Sequence, residues 1–317
     1  MDKFELIIPT IPVDYEMCIS NLRWFFEFLP IKGITFIGSD EVGEKVKNTK
    51  DNRLHFIEEN SIYSLKTVKE IISKNTNGNK EDIRRAGWYY QQFLKLLYSY
   101  QCEEEYYLIW DSDTVPVHKV TMFGEDGRPL FDMKTEYHVP YFCTIEKLFG
   151  LKKTIDKSFI SEHMLFSVPI VKKMIQEIEQ NTQLKGQDFC EKVLNVVAET
   201  GYTQLAFSEF ETYGTYVLNR YQEVYGLRDW KSLRRGAWYF EKQQLNKELS
   251  NWLSGYYDAI SFEKGSVKKK VPAAIMQNKN VRKVISARIF EHLHNMYFAI
   301  GRPIMRGVRN LKRILRR

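Results

Sequence analysis

The chain has 317 residues, 44% of them hydrophobic and 27% charged, and a formal net charge of +7. This composition favours a globular, soluble protein, and no apolar run approaches the roughly 18 residues of a membrane span, so we expect neither a membrane-spanning nor a secreted protein. The four cysteines are far apart and form no C-x-x-C pair, which argues against a zinc site or a disulfide framework and favours a reducing cytoplasm.

Strand and helix signals alternate along the first two thirds of the chain. The sequence predicts strands at residues 4–9, 33–38, 54–57 and 106–110, and helices at residues 15–29, 64–73 and 84–100. Strands separated by helices indicate an α/β fold with a mostly parallel sheet and helices on both faces. In such sheets, ligands bind beyond the carboxyl ends of the strands.

The strand predicted at residues 106–110 ends in Asp111-Ser112-Asp113. Residues two apart on an extended stretch point the same way, so both carboxylates could face one cation. Mn²⁺ and Mg²⁺ take oxygen ligands of this kind and commonly bridge to phosphates. The alternative is a structural turn in which the aspartates cap backbone N–H groups. We therefore predict that Asp111 and Asp113 bind Mn²⁺ or Mg²⁺ together with a phosphate-bearing ligand.

Several segments together resemble a known family. They are a first strand ending in IPT, the helix segment GWYYQQFLKLL, the DSD turn, SEHMLFS at residues 161–167 and SEFETYG at residues 208–214. They resemble a bacterial family of GT-A-type glycosyltransferases from surface-polysaccharide gene clusters, over residues 1–230. The resemblance implies a GT-A-like fold, a nucleotide-sugar donor and a divalent metal that bridges the donor diphosphate. It also implies that Asp113 is the direct metal ligand and that Asp111 approaches the ribose or the metal.

The donor is predicted to contact two segments of the chain. The loop after the first strand lies at a strand's carboxyl end, where a base and ribose would rest, although it could equally be an ordinary Pro-rich turn. The helix at residues 84–100 carries cations that could help with the diphosphate and two amides that could bond sugar hydroxyls. The donor residues predicted in this way are Pro9, Thr10, Asp14, Arg84, Gln91, Gln92 and Lys95.

A carboxylate or histidine late in the chain is expected to activate the acceptor. Ser208 and Glu211 form a capping-box pattern, which would leave Glu209 to face the crevice as general base in an inverting displacement. A favourable interaction with the helix dipole is the alternative for Glu209. Glu162 is a second candidate carboxylate. His163 is predicted to complete the metal shell, with a half-buried structural histidine as the alternative.

The acceptor is predicted to contact aromatic and polar side chains around the crevice. The alternating pattern and Glu-Asp-Gly turn of residues 117–142 predict a hairpin over the crevice that forms the acceptor side of the site. Rings beside it could stack on the face of a pyranose. The acceptor residues predicted are Trp88, Tyr89, His138, Glu211 and Tyr213.

Positive charge is concentrated at the C-terminus. Residues 281–317 hold ten lysines and arginines and one acid, Glu291, a net charge of +9 that leaves −2 for the first 280 residues. Apolar residues recur at helical spacing after Pro303, which is typical of a helix lying on an anionic membrane surface. A plain basic helix and a nucleic-acid-binding arm are the alternatives. We predict a catalytic domain at 1–235, a helical linker at 236–280 and a membrane-docking tail at 281–317.

The predicted function is transfer of a sugar from a nucleotide-sugar donor to a lipid-linked bacterial surface glycan of the capsule, O-antigen or lipopolysaccharide type. The enzyme would be cytoplasmic, bound peripherally to the inner face of the cell membrane, without a nucleic-acid partner. One alternative is a phosphotransferase of the haloacid dehalogenase type with Asp111 as nucleophile, although no Asp-Asp pair occurs in the chain. The other is a non-catalytic, membrane-associated protein that only binds nucleotide or sugar.

Overall fold

A computed structural model describes residues 3–241, 245–263 and 269–296. Within these ranges the chain forms two compact units. The first unit holds the residues up to Thr114 together with Lys119–Trp230, and the second holds Val115–His118 together with the described residues from Lys231 onward. The division predicted at residues 235 and 280 stays a prediction, and the helix predicted after Pro303 lies outside the described residues.

The strands and helices follow one another along most of the described chain. The strands are β1 Phe4–Pro9, β2 Ile31–Gly38, β3 Leu54–Glu58, β4 Tyr106–Trp110, β5 Thr114–Pro116, β6 Leu130–Met133, β7 His163–Ser167, β8 Gly226–Asp229, β9 Ser232–Leu233 and β10 Ala259–Ser261. The helices are α1 Pro12–Ser20, α2 Leu22–Phe28, α3 Asp40–Thr49, α4 Leu65–Asn75, α5 Lys80–Ile83, α6 Ala86–Leu97, α7 Val139–Phe149, α8 Val168–Gln180, α9 Phe189–Ala198, α10 Glu209–Arg220, α11 Lys247–Leu253, α12 Lys270–Gln277, α13 Lys279–Val284 and α14 Ala287–Met296.

The first unit is built on a five-stranded sheet in the order β3-β2-β1-β4-β7. β1 pairs in parallel with β2 and β4, β2 pairs in parallel with β3, and β7 runs antiparallel to β4. The two central strands are apolar because both of their faces are covered, as in other sheets packed between helices; Ile7 and Leu108 are fully buried. The predicted α/β fold with a mostly parallel sheet is confirmed.

Two predicted elements differ from the structure. The single helix predicted at residues 15–29 is two helices, because Asn21 Nδ2 bonds to Met17 O over 3.0 Å and the chain turns there. The hairpin predicted at residues 117–142 is also wrong. Phe123 and Pro129 form one antiparallel bridge, while β6 pairs in parallel with β8, which lies much later in the chain.

The second unit contains the small sheet β5-β10-β9 and the helices α11 to α14. Phe290 of α14 packs edge-on against Tyr239, with ring centroids 4.8 Å apart, and Trp252 Nε1 donates to Ile285 O over 2.8 Å. These contacts attach the C-terminal helices to their own aromatic core. Within the described residues, no helix is both long and apolar enough to span a membrane.

A glycine inside α10 allows the helix to touch a buried ring. A Cβ at Gly214 would lie 2.3 Å from Phe159 Cδ2, and Phe159 is 1% exposed. We therefore expect Gly214→Ala to lower the free energy of unfolding by about 1–3 kcal/mol through overpacking, as measured by urea denaturation.

Gly87 of α6 is the matched control, because a Cβ there meets no atom within 4 Å. Gly87→Ala should leave stability unchanged or raise it by up to about 1 kcal/mol, since alanine has the higher helix propensity. Equal effects of the two substitutions would contradict the packing argument.

Candidate active site

The Asp-Ser-Asp turn follows directly on the buried strand β4. Thr114 N donates to Asp111 O over 3.1 Å, which closes the turn, and Trp110 Nε1 donates to Thr114 O over 2.8 Å. From α1, Cys18 Sγ donates to Ser112 O over 3.2 Å. The backbone and two buried side chains therefore hold the turn, so its two carboxylates rest on a rigid support.

The turn lies at the switch point of the five-stranded sheet. β1 has β2 on one side and β4 on the other, so the loops after β1 and β4 leave neighbouring strands at the same edge. Pro9 ends β1, Thr10 follows it, and Asp14 lies in the first turn of α1. Burial raises the pKa of Cys18, and the charges of Asp14 and Asp113 raise it further. The predicted donor loop and the predicted metal turn thus meet around this thiol.

A buried lysine joins the turn to a distant helix. Lys95 Nζ of α6 lies 2.6 Å from Asp111 Oδ1 and 2.6 Å from Glu209 Oε1 of α10. The side chains of Lys95 and Glu209 are 4% and 5% exposed, whereas that of Asp111 is 33% exposed. We call these three residues the Lys95 cluster; it faces solvent through Asp111.

One ammonium in the Lys95 cluster serves two carboxylates. Burial opposes the charge on Lys95, but the attraction of Asp111 and Glu209 outweighs it and raises the pKa of Lys95. Burial raises the pKa of the Glu209 carboxyl, and Lys95 only partly offsets this. The lysine is therefore held charged, and the balance of charge in the cluster depends on it.

Gln92 strengthens the same connection one turn earlier on α6. Its side chain donates from Nε2 to Trp88 O over 3.0 Å and accepts from Glu209 N over 3.1 Å. Gln92 was predicted to bond a sugar hydroxyl. It is 2% exposed, however, and instead fixes the start of α10. The predicted donor residue Lys95 likewise contacts protein carboxylates.

His163 is placed differently from the prediction of a metal ligand. Its side chain is 2% exposed, Nδ1 lies 2.9 Å from Ser161 O, and Nε2 lies 2.8 Å from Asp132 Oδ2. Both ring nitrogens are thus engaged with protein oxygens. Although burial opposes it, hydrogen bonds from Arg228 and His163 lower the pKa of the Asp132 carboxyl. The ring stacks on Trp110 at 4.4 Å, so His163 supports β4 from beneath the turn.

Glu162 contributes its backbone to the turn. Its carbonyl accepts from Asp111 N over 2.8 Å, while its Oε1 lies 2.6 Å from Lys134 Nζ. The residue has φ +66°, a left-handed conformation that is unfavourable for a residue with a side chain. Glu162 is 5% exposed, which does not suit the predicted catalytic role. The strained backbone at this position instead aims a carbonyl at Asp111.

Three predicted acceptor residues are buried. Ser208 caps α10, as predicted, but Glu211 turns away from the cap and bonds Lys153 Nζ over 2.7 Å. Tyr213 bonds the backbone N of Ser167 over 3.1 Å. Tyr89 donates to Tyr202 O over 2.9 Å. Glu211, Tyr213 and Tyr89 are each 0% exposed, so these hydrogen bonds belong to the core and the predicted acceptor contacts are wrong.

The remaining predicted residues lie nearer the surface. Arg84 is exposed at the end of α5, Gln91 and Trp88 are half-buried on α6, and His138 bonds Gln204 O through Nε2 over 2.8 Å. None of them contacts the Lys95 cluster in the described residues. Their predicted roles in donor or acceptor binding stay predictions.

Sequence patterns missed the supports of the site. Cys18 lies 94 residues from Ser112, and the bidentate pair of Arg228 with Asp132 joins residues 96 apart. No local periodicity links residues so distant. The only available signal was chemical, because charged residues inside strands β6 and β8 require partners.

The carboxylates of the turn suit a divalent cation whose coordination shell is completed by the phosphates of a bound substrate. The ion pair with Lys95 uses Oδ1 of Asp111 and leaves Oδ2 outside it, and Asp113 is half-buried two residues on. Mg²⁺ is often held by one or two carboxylates together with substrate phosphates. Among the described residues, no group of three or more acids, histidines or cysteines could hold a metal. A cation held by this turn would therefore share its remaining ligand positions with a phosphate.

Comparisons with protein families and with solved structures both find matches. Residues 37–297 match the model of a family of unknown function, DUF6492, and this range contains the whole Lys95 cluster. No curated protein matches the chain. Among solved structures, the chain is similar to the crystal structure of mouse xyloside xylosyltransferase 1 in its apo form, with a TM-score of 0.39 and 10% sequence identity. That similarity covers 84% of this chain and 99% of the other.

Proposed function

We propose that this chain, which belongs to the family of unknown function DUF6492, is a metal-dependent glycosyltransferase with a nucleotide-sugar donor. The observation that carries the proposal is the position of Asp111 and Asp113 at the switch point, beside the loop that follows β1. A nucleotide is bound at such a point in many α/β sheets, with its phosphates over the strand ends. The carboxylates stand where a diphosphate would lie.

The charge at this edge argues for a cation. Asp14, Asp111 and Asp113 lie at this edge of the sheet, and the ammonium of Lys95, which bonds Asp111, is already shared with Glu209. Three carboxylates would repel a diphosphate unless a cation lay between them. Mn²⁺ or Mg²⁺, held by Asp111 and Asp113, would neutralise the leaving diphosphate.

Within this site we assign Lys95 and Glu209 as positioning residues. Lys95 fixes one oxygen of Asp111, and Glu209 and Gln92 hold Lys95 in place from α10 and α6. Glu209 was predicted as the general base, but it is buried and its Oε1 bonds an ammonium. Its contribution is therefore to hold the carboxylate of Asp111 in one orientation, which is the preorganisation that transfer requires.

The acceptor and location follow from the family resemblance and the charge of the tail. We propose a bacterial surface glycan as acceptor, of the capsule, O-antigen or lipopolysaccharide type and lipid-linked. Residues 281–317, with their charge of +9, would hold the enzyme peripherally at the cytoplasmic face of the cell membrane. Docking there raises the local concentration of a membrane-anchored acceptor.

A thermal-shift panel tests the donor class. The purified chain is heated with UDP-, GDP-, CMP- and dTDP-sugars, each with Mn²⁺ or with EDTA. A donor at about 100 times its dissociation constant should add about 2.7 kcal/mol to stability, and only in the presence of Mn²⁺. Radiolabelled sugar released to water or passed to a glycan then identifies transfer.

Three results would count against the proposal. Donor-induced stabilisation that is equal with Mn²⁺ and with EDTA would show that donor binding does not depend on a metal. Failure of every donor, together with turnover of a phosphate ester that Asp111→Asn abolishes, would favour the phosphotransferase. Donor binding without release or transfer would favour the non-catalytic alternative.

A further inference from the structure

The last described helix, α14, has an apolar outer face. Ala287 and Phe290 are 2% and 3% exposed and point into the second unit. Ile289, Leu293 and Met296 are 49%, 50% and 58% exposed. The spacing of these three residues, at four and then three positions, places them along one side of the helix. We call them the α14 stripe.

A cavity lies next to this stripe. It has a volume of about 530 Å³, and its lining residues are Lys231, Ser254, Gly255, Tyr256, Tyr257, Asp258, Arg288 and His292. Arg288 and His292 are four residues apart on α14 and immediately precede Ile289 and Leu293 of the stripe. One helix therefore presents a row of apolar side chains beside a row of basic ones, and the basic row opens into a cavity.

The cavity suits an anion. Asp258 is the one acid among its lining residues, and both of its oxygens are engaged: Oδ1 with His118 Nε2 at 2.9 Å and Oδ2 with Lys231 N at 2.8 Å. Lys231 Nζ lies over the ring of Tyr256 at 4.6 Å, and within the described residues Arg288 makes no ion pair. Two cations are thus available to a phosphate.

The chain that follows α14 points to the occupant. Residues 297–317 begin where α14 ends and hold seven lysines and arginines and no acid. A free phosphate or a nucleotide would make no use of three exposed apolar side chains beside its binding site. A phospholipid would use both features, because its phosphate and its acyl boundary lie a few ångströms apart.

We propose that the cavity binds the phosphate of an anionic phospholipid while the α14 stripe enters the acyl boundary of the same membrane. The proposal deepens the membrane location given above, and it adds a defined headgroup site to a tail that would act by charge alone. The proposed headgroup site would attach the folded second unit to the membrane, so α14 and the basic tail would bind the same membrane together.

Vesicle flotation of the full chain tests this inference. Binding is measured on phosphatidylcholine vesicles with and without phosphatidylglycerol, for wild type, Arg288→Ala, Lys231→Ala and Leu293→Ser. Each cation removed should weaken binding to the anionic vesicles about fivefold. Leu293→Ser should weaken it about tenfold.

Matched controls separate this site from general charge and hydrophobicity. Ile275→Ser on α12 is the apolar control for Ile289→Ser of the α14 stripe, because the two isoleucines are 47% and 49% exposed. Lys69→Ala of α4 is the cation control, since this lysine is exposed in the first unit. The controls should bind vesicles as wild type does.

Several results would overturn the inference. These are equal losses in the controls, unchanged binding by Arg288→Ala and Leu293→Ser, or complete displacement of the protein by inorganic phosphate. All variants should keep the melting temperature and the donor-induced shift of wild type. The vesicle assay therefore tests the headgroup site independently of the proposed glycosyl transfer, so either proposal can be contradicted without the other.

Discussion

Replacing Lys95 by methionine should lower the free energy of unfolding by about 3–5 kcal/mol, because it leaves the buried carboxylate of Glu209 beside that of Asp111 without a counter-charge. Lys69→Met, at an exposed position of α4, should change stability by less than about 0.5 kcal/mol. Urea denaturation of the two variants at pH 7 measures the difference. Similar values for the two lysines would contradict the central role of the Lys95 cluster.

The loss should depend on pH in a defined direction. Burial already raises the pKa of Glu209, and Lys95 is the main group that lowers it. Without the lysine that pKa rises further, so the folded state of Lys95→Met binds more protons than the unfolded state at any pH between the ordinary value, about 4.3, and the raised one. Stability should therefore fall as pH rises across this interval, by up to about 1.4 kcal/mol per pH unit for each extra proton.

A second substitution tests the cause of this pH dependence. In Lys95→Met combined with Glu209→Gln, one buried charge has been removed, so part of the lost stability should return and the slope with pH should become shallower. An unchanged slope would show that Glu209 is not the group taking up the proton.

The second large effect concerns turnover. Asp113→Asn should reduce sugar transfer about 100-fold or more, because the amide is neutral and the proposed cation loses a ligand beside the donor diphosphate. The same variant should need more Mn²⁺ for donor-induced stabilisation, while its stability without ligand stays close to wild type, since Asp113 is half-buried at the end of a turn. Initial rates measure the first effect, and donor-induced thermal shifts over a Mn²⁺ titration measure the second.

Asp156→Asn is the matched control for this loss, because Asp156 is exposed and lies outside the switch point. It should retain wild-type rates. If Asp113→Asn turned over donor at the wild-type rate with an unchanged Mn²⁺ requirement, the cation would be held elsewhere and the role proposed for the turn would fail.

Asp111 and Asp113 are expected to differ in behaviour despite their spacing. Asp111 is bound to Lys95 on one oxygen, so Asp111→Asn affects both the buried cluster and the crevice. Asp113 lies near the donor loop, where its charge is felt by Cys18. Asp111→Asn should therefore lower both stability and turnover, whereas Asp113→Asn should lower turnover alone. The comparison separates the structural role of the turn from its role in transfer.

Local patterns along the chain were enough to predict several elements. β4 begins and ends where the apolar run predicted, and Ser208 caps α10, because a strand or a cap depends on residues within a few positions of one another. The alternation of strands and helices was sufficient to indicate the sheet and the edge at which a ligand would lie. The tail's charge was likewise evident from composition alone.

The roles of the predicted site residues became clear from the packing of distant segments. Lys95 and Glu209 are 114 residues apart, and nothing near either one shows that they form an ion pair. His163, Glu211 and Tyr213 carry polar groups in motifs that suggested a site, yet each is buried with protein partners. The physical reason is that burial and pairing depend on how distant segments pack, and a polar side chain has the same local pattern whether it faces a substrate or completes the core.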